Sequence, residues 1–96
     1  MANNLFITYD LKQNAGEKRD YNPVFTAIHG LGEAVHLELS QFYVNSSFSS
    51  KQAAEKVFAT MRAGDKLVVV DATNKTSNWY GLSNGVATFI QQHWGT

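Results

Sequence analysis

A chain of 96 residues is sized for one domain, and 44% apolar with 17% charged residues is ordinary for a globular protein. It has no cysteine, which excludes a disulfide framework, a thiolate metal site and a cysteine nucleophile. Eight basic residues balance eight acidic ones, which argues against tight, non-specific grip on nucleic acid and leaves room only for a local basic patch.

The first element is the run Leu5 to Leu11, LFITYDL, whose apolar, β-branched and aromatic residues predict a strand. It ends in Tyr9-Asp10, before a polar stretch that cannot continue it. An acid at the end of a rigid apolar strand is where a sheet protein places a metal ligand or general base. The same residue can equally end the strand by accepting a hydrogen bond from the turn. Residues 12 to 22 form a connection made locally basic by Lys12, Lys18 and Arg19, with Glu17 and Asp20 partly offsetting them. Asn22-Pro23 reads as an N-cap followed by proline at the first helical position. Val24, Phe25, Ile28 and Leu31 recur at helical spacing, which predicts a short helix over 23–31, with Gly32 as the left-handed residue past its end.

In AVHLELSQFYVNSS, Val35, Leu37 and Leu39 occupy odd positions, whereas Phe42 and Val44 are even. A continuous strand keeps one parity, so two strands are predicted, 34–39 and 42–46, joined near Ser40-Gln41. Ser49 and Gln52 sit at capping-box spacing ahead of the stripe Ala54, Val57, Phe58 and Met61, which predicts a helix over 50–63 closed by Gly64. Leu67 to Val70 predicts a strand buried on both faces or central in its sheet. After a polar loop, Trp79, Leu82, Val86, Phe89, Ile90 and Trp94 suggest a C-terminal helical segment, about 83–94.

The order predicts a single α+β domain over 1–96: a ferredoxin-like βαββαβ antiparallel sheet, spatial order 4-1-3-2, with both main helices on one face. Its core spans about 4–73, and a C-terminal helical extension, about 79–94, is left to cover a sheet edge, the open face or a partner. This topology places Asp10 near Ser40-Gln41 and Lys66, and Asp71 at the far end, roughly 20 Å away at about 3.3 Å per residue. The two acids therefore cannot pair within one protomer. His29, His36 and His93 fall on three separate elements without metal-ligand spacing, so a zinc site is not expected. Tyr9, Tyr43, Trp79, Tyr80 and Trp94 have rings that either stack bases or pack a core or interface. No run reaches the roughly 20 apolar residues of a membrane helix. The start MANNLFITYD lacks the basic and apolar segments of a secretory signal, so a soluble cytoplasmic protein with no membrane association is expected.

The strand ending in Tyr9-Asp10, the short helix closed by Leu31-Gly32, the segment LSQFYV from Leu39 to Val44, the helix opened by Ser49-Ser50 and the strand Leu67 to Val70 occur in a recognisable order. Over about residues 4–73 the chain resembles the small CRISPR-associated adaptation protein and the related virulence-associated protein D ribonucleases. In that family the middle segment commonly has a serine followed, two positions on, by an aromatic residue, and Ser40 and Phe42 fit it. The resemblance implies a homodimer. It also implies that Asp10 is catalytic, paired with its copy near the dimer axis and holding Mg²⁺ or Mn²⁺ for cleavage of RNA or DNA. On that reading Lys12, Lys18 and Arg19 contact phosphates, and Tyr9 and Ser40 support the site. In place of the final strand that in the family often crosses to the partner, the C-terminal stretch here reads as a Trp-bearing helix. The residues leave a second reading open: a non-catalytic dimeric module that binds a protein or nucleic acid, with Asp10 as a strand-end acceptor.

Overall fold

The computed structural model describes residues 2–94. Five strands, β1 (Asn3–Asp10), β2 (Gly32–Leu39), β3 (Gln41–Ser46), β4 (Lys66–Asp71) and β5 (Thr76–Tyr80), form one antiparallel sheet in the order β2-β3-β1-β4-β5. The helices are α1 (Asn22–His29), α2 (Ser50–Phe58) and α3 (Asn84–His93).

Strand alternation sorts the side chains. Leu5, Ile7 and Tyr9 of β1, Phe42 and Val44 of β3, and Leu67 and Val69 of β4 are buried on one face. Val24 and Ile28 of α1 and Ala53, Ala54 and Val57 of α2 complete that core. Each fully buried Leu, Ile or Val contributes about 1.5–3 kcal/mol relative to an exposed side chain.

The parity change falls at the predicted turn, where β2 ends at Leu39 and β3 begins at Gln41, and a bulge lies just before it. Pairing between β2 and β3 shifts from His36↔Phe42 to Leu39↔Gln41, and Glu38 takes a left-handed φ of 65°. Helix α1 starts at Asn22, the predicted cap and one residue before the predicted helix, and ends at His29, two residues short of the predicted end. Tyr21 is the N-cap and makes no side-chain capping bond, while the Asp20 carboxylate accepts from the Asn22 N–H. Gly32 is not a helix cap but opens β2, where a Cβ would collide with the Asn45 carbonyl oxygen. Helix α2 has the expected capping box between Ser49 and Gln52, yet ends at Phe58. Beyond it the chain tightens into turns, Thr60 N–H to Val57 and Met61 N–H to Phe58, and reverses at Gly64 with φ 94°.

Strand β5 is the main departure from expectation. Residues Thr76–Tyr80 lie in the stretch read as a polar loop, and Trp79 belongs to this strand and not to the terminal helix. The hairpin is built by Asp71, whose carboxylate accepts from the Thr73 and Asn74 N–H groups, with Lys75 left-handed at φ 58°. Helix α3 is capped by Ser83 and lies over β4 and β5 on the face opposite α1 and α2. The Trp94 indole N–H donates to the Lys75 carbonyl at 3.0 Å, and a cleft of about 310 Å³ remains between Val68, Val70 and Trp79 below and Phe89, Ile90 and Trp94 above.

Candidate functional site

Asp10 is the last residue of β1, pairs with Lys66 across to β4 and is exposed. Its even position places it with Phe6 and Thr8 on the face that α1 and α2 leave open. On this face Val35, Tyr43, Phe6 and Val70 stand in register across β2, β3, β1 and β4. The Phe6 and Tyr43 rings are 5.5 Å apart, and the Tyr43 hydroxyl donates to Asn4 Oδ1 at 2.6 Å. Among the described residues the Asp10 carboxylate has no hydrogen-bond or ion-pair partner.

Tyr9 points the other way. Its ring is 4% exposed and packs against Tyr21, Phe25 and Phe42, and its hydroxyl lies 3.1 Å from His36 Nε2. Burial, with Tyr21 adding to it, raises the Tyr9 pKa and keeps the hydroxyl protonated. Adjacent residues on a strand face opposite sides, so Tyr9 supports the fold beside Asp10 without sharing its surroundings. Ser40 lies at the same end of the sheet in the β2–β3 turn, where its carbonyl accepts from the Tyr9 N–H at 3.1 Å.

The basic loop divides in two. Arg19 is expected to contact phosphate, but its guanidinium grips Asp65 through Nη1–Oδ1 at 2.8 Å and Nη2–Oδ2 at 2.7 Å. Nη1 also donates to the Lys12 carbonyl at 2.7 Å, and only 10% of the side chain is exposed. A planar fork matched to a buried carboxylate serves the fold first. The Lys12 N–H donates to Asp65 Oδ1 and the Arg62 N–H to Asp65 Oδ2, each at 2.9 Å. Bonding to Arg19 is the main reason the Asp65 pKa falls to about 2, against the opposing effect of burial. Glu17 is held below the ordinary carboxylate range by its Arg62 partner. The side chains of Lys12 and Lys18 are left exposed beside this clamp.

Asp71, at the far end, is 1% exposed and is satisfied by its own turn, including the Asn74 amide at 2.7 Å. The register Leu5↔Asp71 confirms that Asp10 and Asp71 lie a strand apart. Among the described residues no group of three or more histidines and acids is placed to hold a metal ion. Sequence reasoning missed Asp65. Its position after Gly64 and just ahead of an apolar strand marks it as a turn acid, but its partner Arg19 lies 46 residues away in the chain.

No protein-family model, curated protein or solved structure matches the chain.

Proposed function

We propose that the chain is a ferredoxin-like protein of the kind it resembles, a two-fold homodimer in which paired Asp10 carboxylates form a site for cleaving RNA or DNA. One observation carries this reading. Asp10 is an exposed acid, unpartnered among the described residues, at the end of the central strand β1, on the same face as the in-register side chains Val35, Tyr43 and Phe6, which lie beside the part of the sheet that α3 covers. Two copies joined through the part of that face outside α3 bury Val35, Tyr43 and Phe6 and bring two carboxylates together.

The donor set fits a hard divalent cation, which binds through one or two carboxylates, several waters and substrate phosphate. Bound there, Mg²⁺ or Mn²⁺ supplies charge stabilisation and an activated water. Asp10 positions the cation, and exposed Lys12, Lys18 and Lys66 offer charge to the strand. The strand order β4-β1-β3-β2 supports the ferredoxin-like assignment, with β5 added at the edge.

The competing reading is a non-catalytic dimeric module. It is favoured by apolar side chains left in solvent on α3 and β2, notably Phe89 at 63% and Val35 at 53% exposure. End-labelled single-stranded RNA and DNA incubated with the protein, Mn²⁺ or EDTA separate the two. Cleavage that requires Mn²⁺ and is lost in Asp10→Asn supports the first, and intact strands under all conditions overturn it.

A further inference from the structure

On the helix face of the sheet, at the same end as Asp10, Tyr9, Tyr21, Phe25, His36, Glu38 and Leu39 line an open groove of about 520 Å³. Three observations converge there. The β2 bulge lies in the groove wall and re-aims its side chains. Glu38, within that bulge, holds a φ of 65°, a conformation that disfavours a residue with a Cβ, and its carboxylate has no partner among the described residues. His36 is fixed by Tyr9. The Tyr9 hydroxyl lies 3.1 Å from His36 Nε2, which engages one ring nitrogen and leaves the other, Nδ1, as a further polar atom of the same imidazole.

The groove therefore combines aromatic rings, an imidazole and a carboxylate without a partner among the described residues. We propose that it takes a guanine base from a single-stranded nucleic acid, stacked on the aromatic wall. A carboxylate takes two parallel N–H donors, and among the four bases only guanine offers two adjacent ones, N1–H and N2–H, on its pairing edge. The neighbouring O6 is an acceptor, which a ring N–H of the His36 imidazole can meet. Adenine and cytosine offer a single amino group beside an acceptor, and uracil a lone N–H between two carbonyls, so each leaves one carboxylate oxygen unmatched. This inference rests on the nucleic-acid reading above and names the substrate feature that the Asp10 end of the sheet would meet.

Calorimetric titration of the full chain with GMP, AMP, CMP and UMP at one salt concentration tests it. GMP should bind about tenfold more tightly than each of the others, the discrimination expected of one bidentate pair. Glu38→Gln should remove about tenfold of the GMP affinity, since a neutral amide offers only one acceptor oxygen. Glu38→Gly should lose the same affinity while melting at a higher temperature, a combination that a merely structural residue does not produce. Glu33→Gln, at the far end of β2, should leave GMP binding unchanged. A five-nucleotide RNA with one central guanine among uracils should bind more tightly than GMP, and GMP binding as well as that strand overturns the single-strand assignment. Equal binding of all four nucleotides, or GMP binding untouched by Glu38→Gln, overturns the site. The cleavage reading fails independently: GMP selectivity in a protein that cuts nothing upholds the groove, and cutting without nucleotide selectivity overturns it.

Discussion

Arg19 and Asp65, 46 residues apart, close a bidentate ion pair that ties the β1–α1 loop to the turn before β4. The carboxylate is fully buried and its partner nearly so. Asp65 also accepts from two backbone N–H groups, so every part of the carboxylate is engaged. Removing one side of such a pair leaves the other buried and uncompensated, which costs about 3–5 kcal/mol. Asp65→Asn should therefore lower unfolding free energy at neutral pH by about 3 kcal/mol, measured by urea titration.

The same pair sets an acid limit. The folded pKa of Asp65 is depressed from 3.8 to about 2. A depressed carboxylate adds stability above its unfolded pKa and loses it as pH falls through the folded one. The loss should thus fall between about pH 4 and pH 2 and amount to about 2 kcal/mol. Urea titrations of wild type and Asp65→Asn across that window should converge by this amount, and parallel curves would refute the linkage.

Glu38 holds a left-handed φ of 65°, and its carboxylate has no hydrogen-bond or ion-pair partner among the described residues. A left-handed residue with a Cβ costs about 1–2 kcal/mol relative to glycine. Glu38→Gly should raise stability by about 1 kcal/mol, or about 4–8 °C in a domain of this size, by thermal melting.

Phe58 and Tyr80 stack with ring centroids 4.2 Å apart and planes 8° from parallel, pinning α2 to the edge strand β5. Phe58 is only partly buried, so Phe58→Ala should cost about 2 kcal/mol, below the 3–5 typical of a fully enclosed phenylalanine. Denaturation of the variant checks it, and a loss above 4 kcal/mol would place Phe58 deeper than the structure does.

Much of the architecture was legible because burial imposes periodicity. The odd residues Leu5, Ile7 and Tyr9, the parity change between Leu39 and Phe42, and the Ser49–Gln52 cap each express a local rule. Strand β5 expresses none: TSNWY is short and polar, half-covered at an edge, and exists because Asp71 turns the chain back onto β4. The end of α2 was misjudged for a related reason. Its apolar stripe continues through Met61, but after Phe58 the Thr60 and Met61 N–H groups bond carbonyls three residues back, and the next N–H, of Arg62, goes to Asp65. The placement of Asp10 beside Ser40 and Lys66 followed from topology, whereas the commitment of Arg19 to Asp65 is a contact across 46 residues that no spacing reveals.

The last expectation concerns Asp10 and assembly. If two copies join through the open face, light scattering should give twice the 10.7 kDa chain mass at micromolar concentration. Replacing Phe6, at the centre of the in-register row, with glutamate should return the protein to a monomer, because a charge there would be buried without a partner. Two like-charged carboxylates at the axis repel each other until a cation lies between them. A divalent ion that binds the folded pair and not the unfolded chain stabilises the dimer by mass action, by about 2.7 kcal/mol at a hundred times its dissociation constant. Millimolar Mn²⁺ should therefore raise the melting temperature of the wild type and leave Asp10→Asn unchanged. Asp10→Asn removes the charge and keeps the shape, so without metal it should be no less stable than the wild type. If Mn²⁺ shifts neither protein, or both equally, Asp10 is not a metal ligand and the non-catalytic module is the reading that stands.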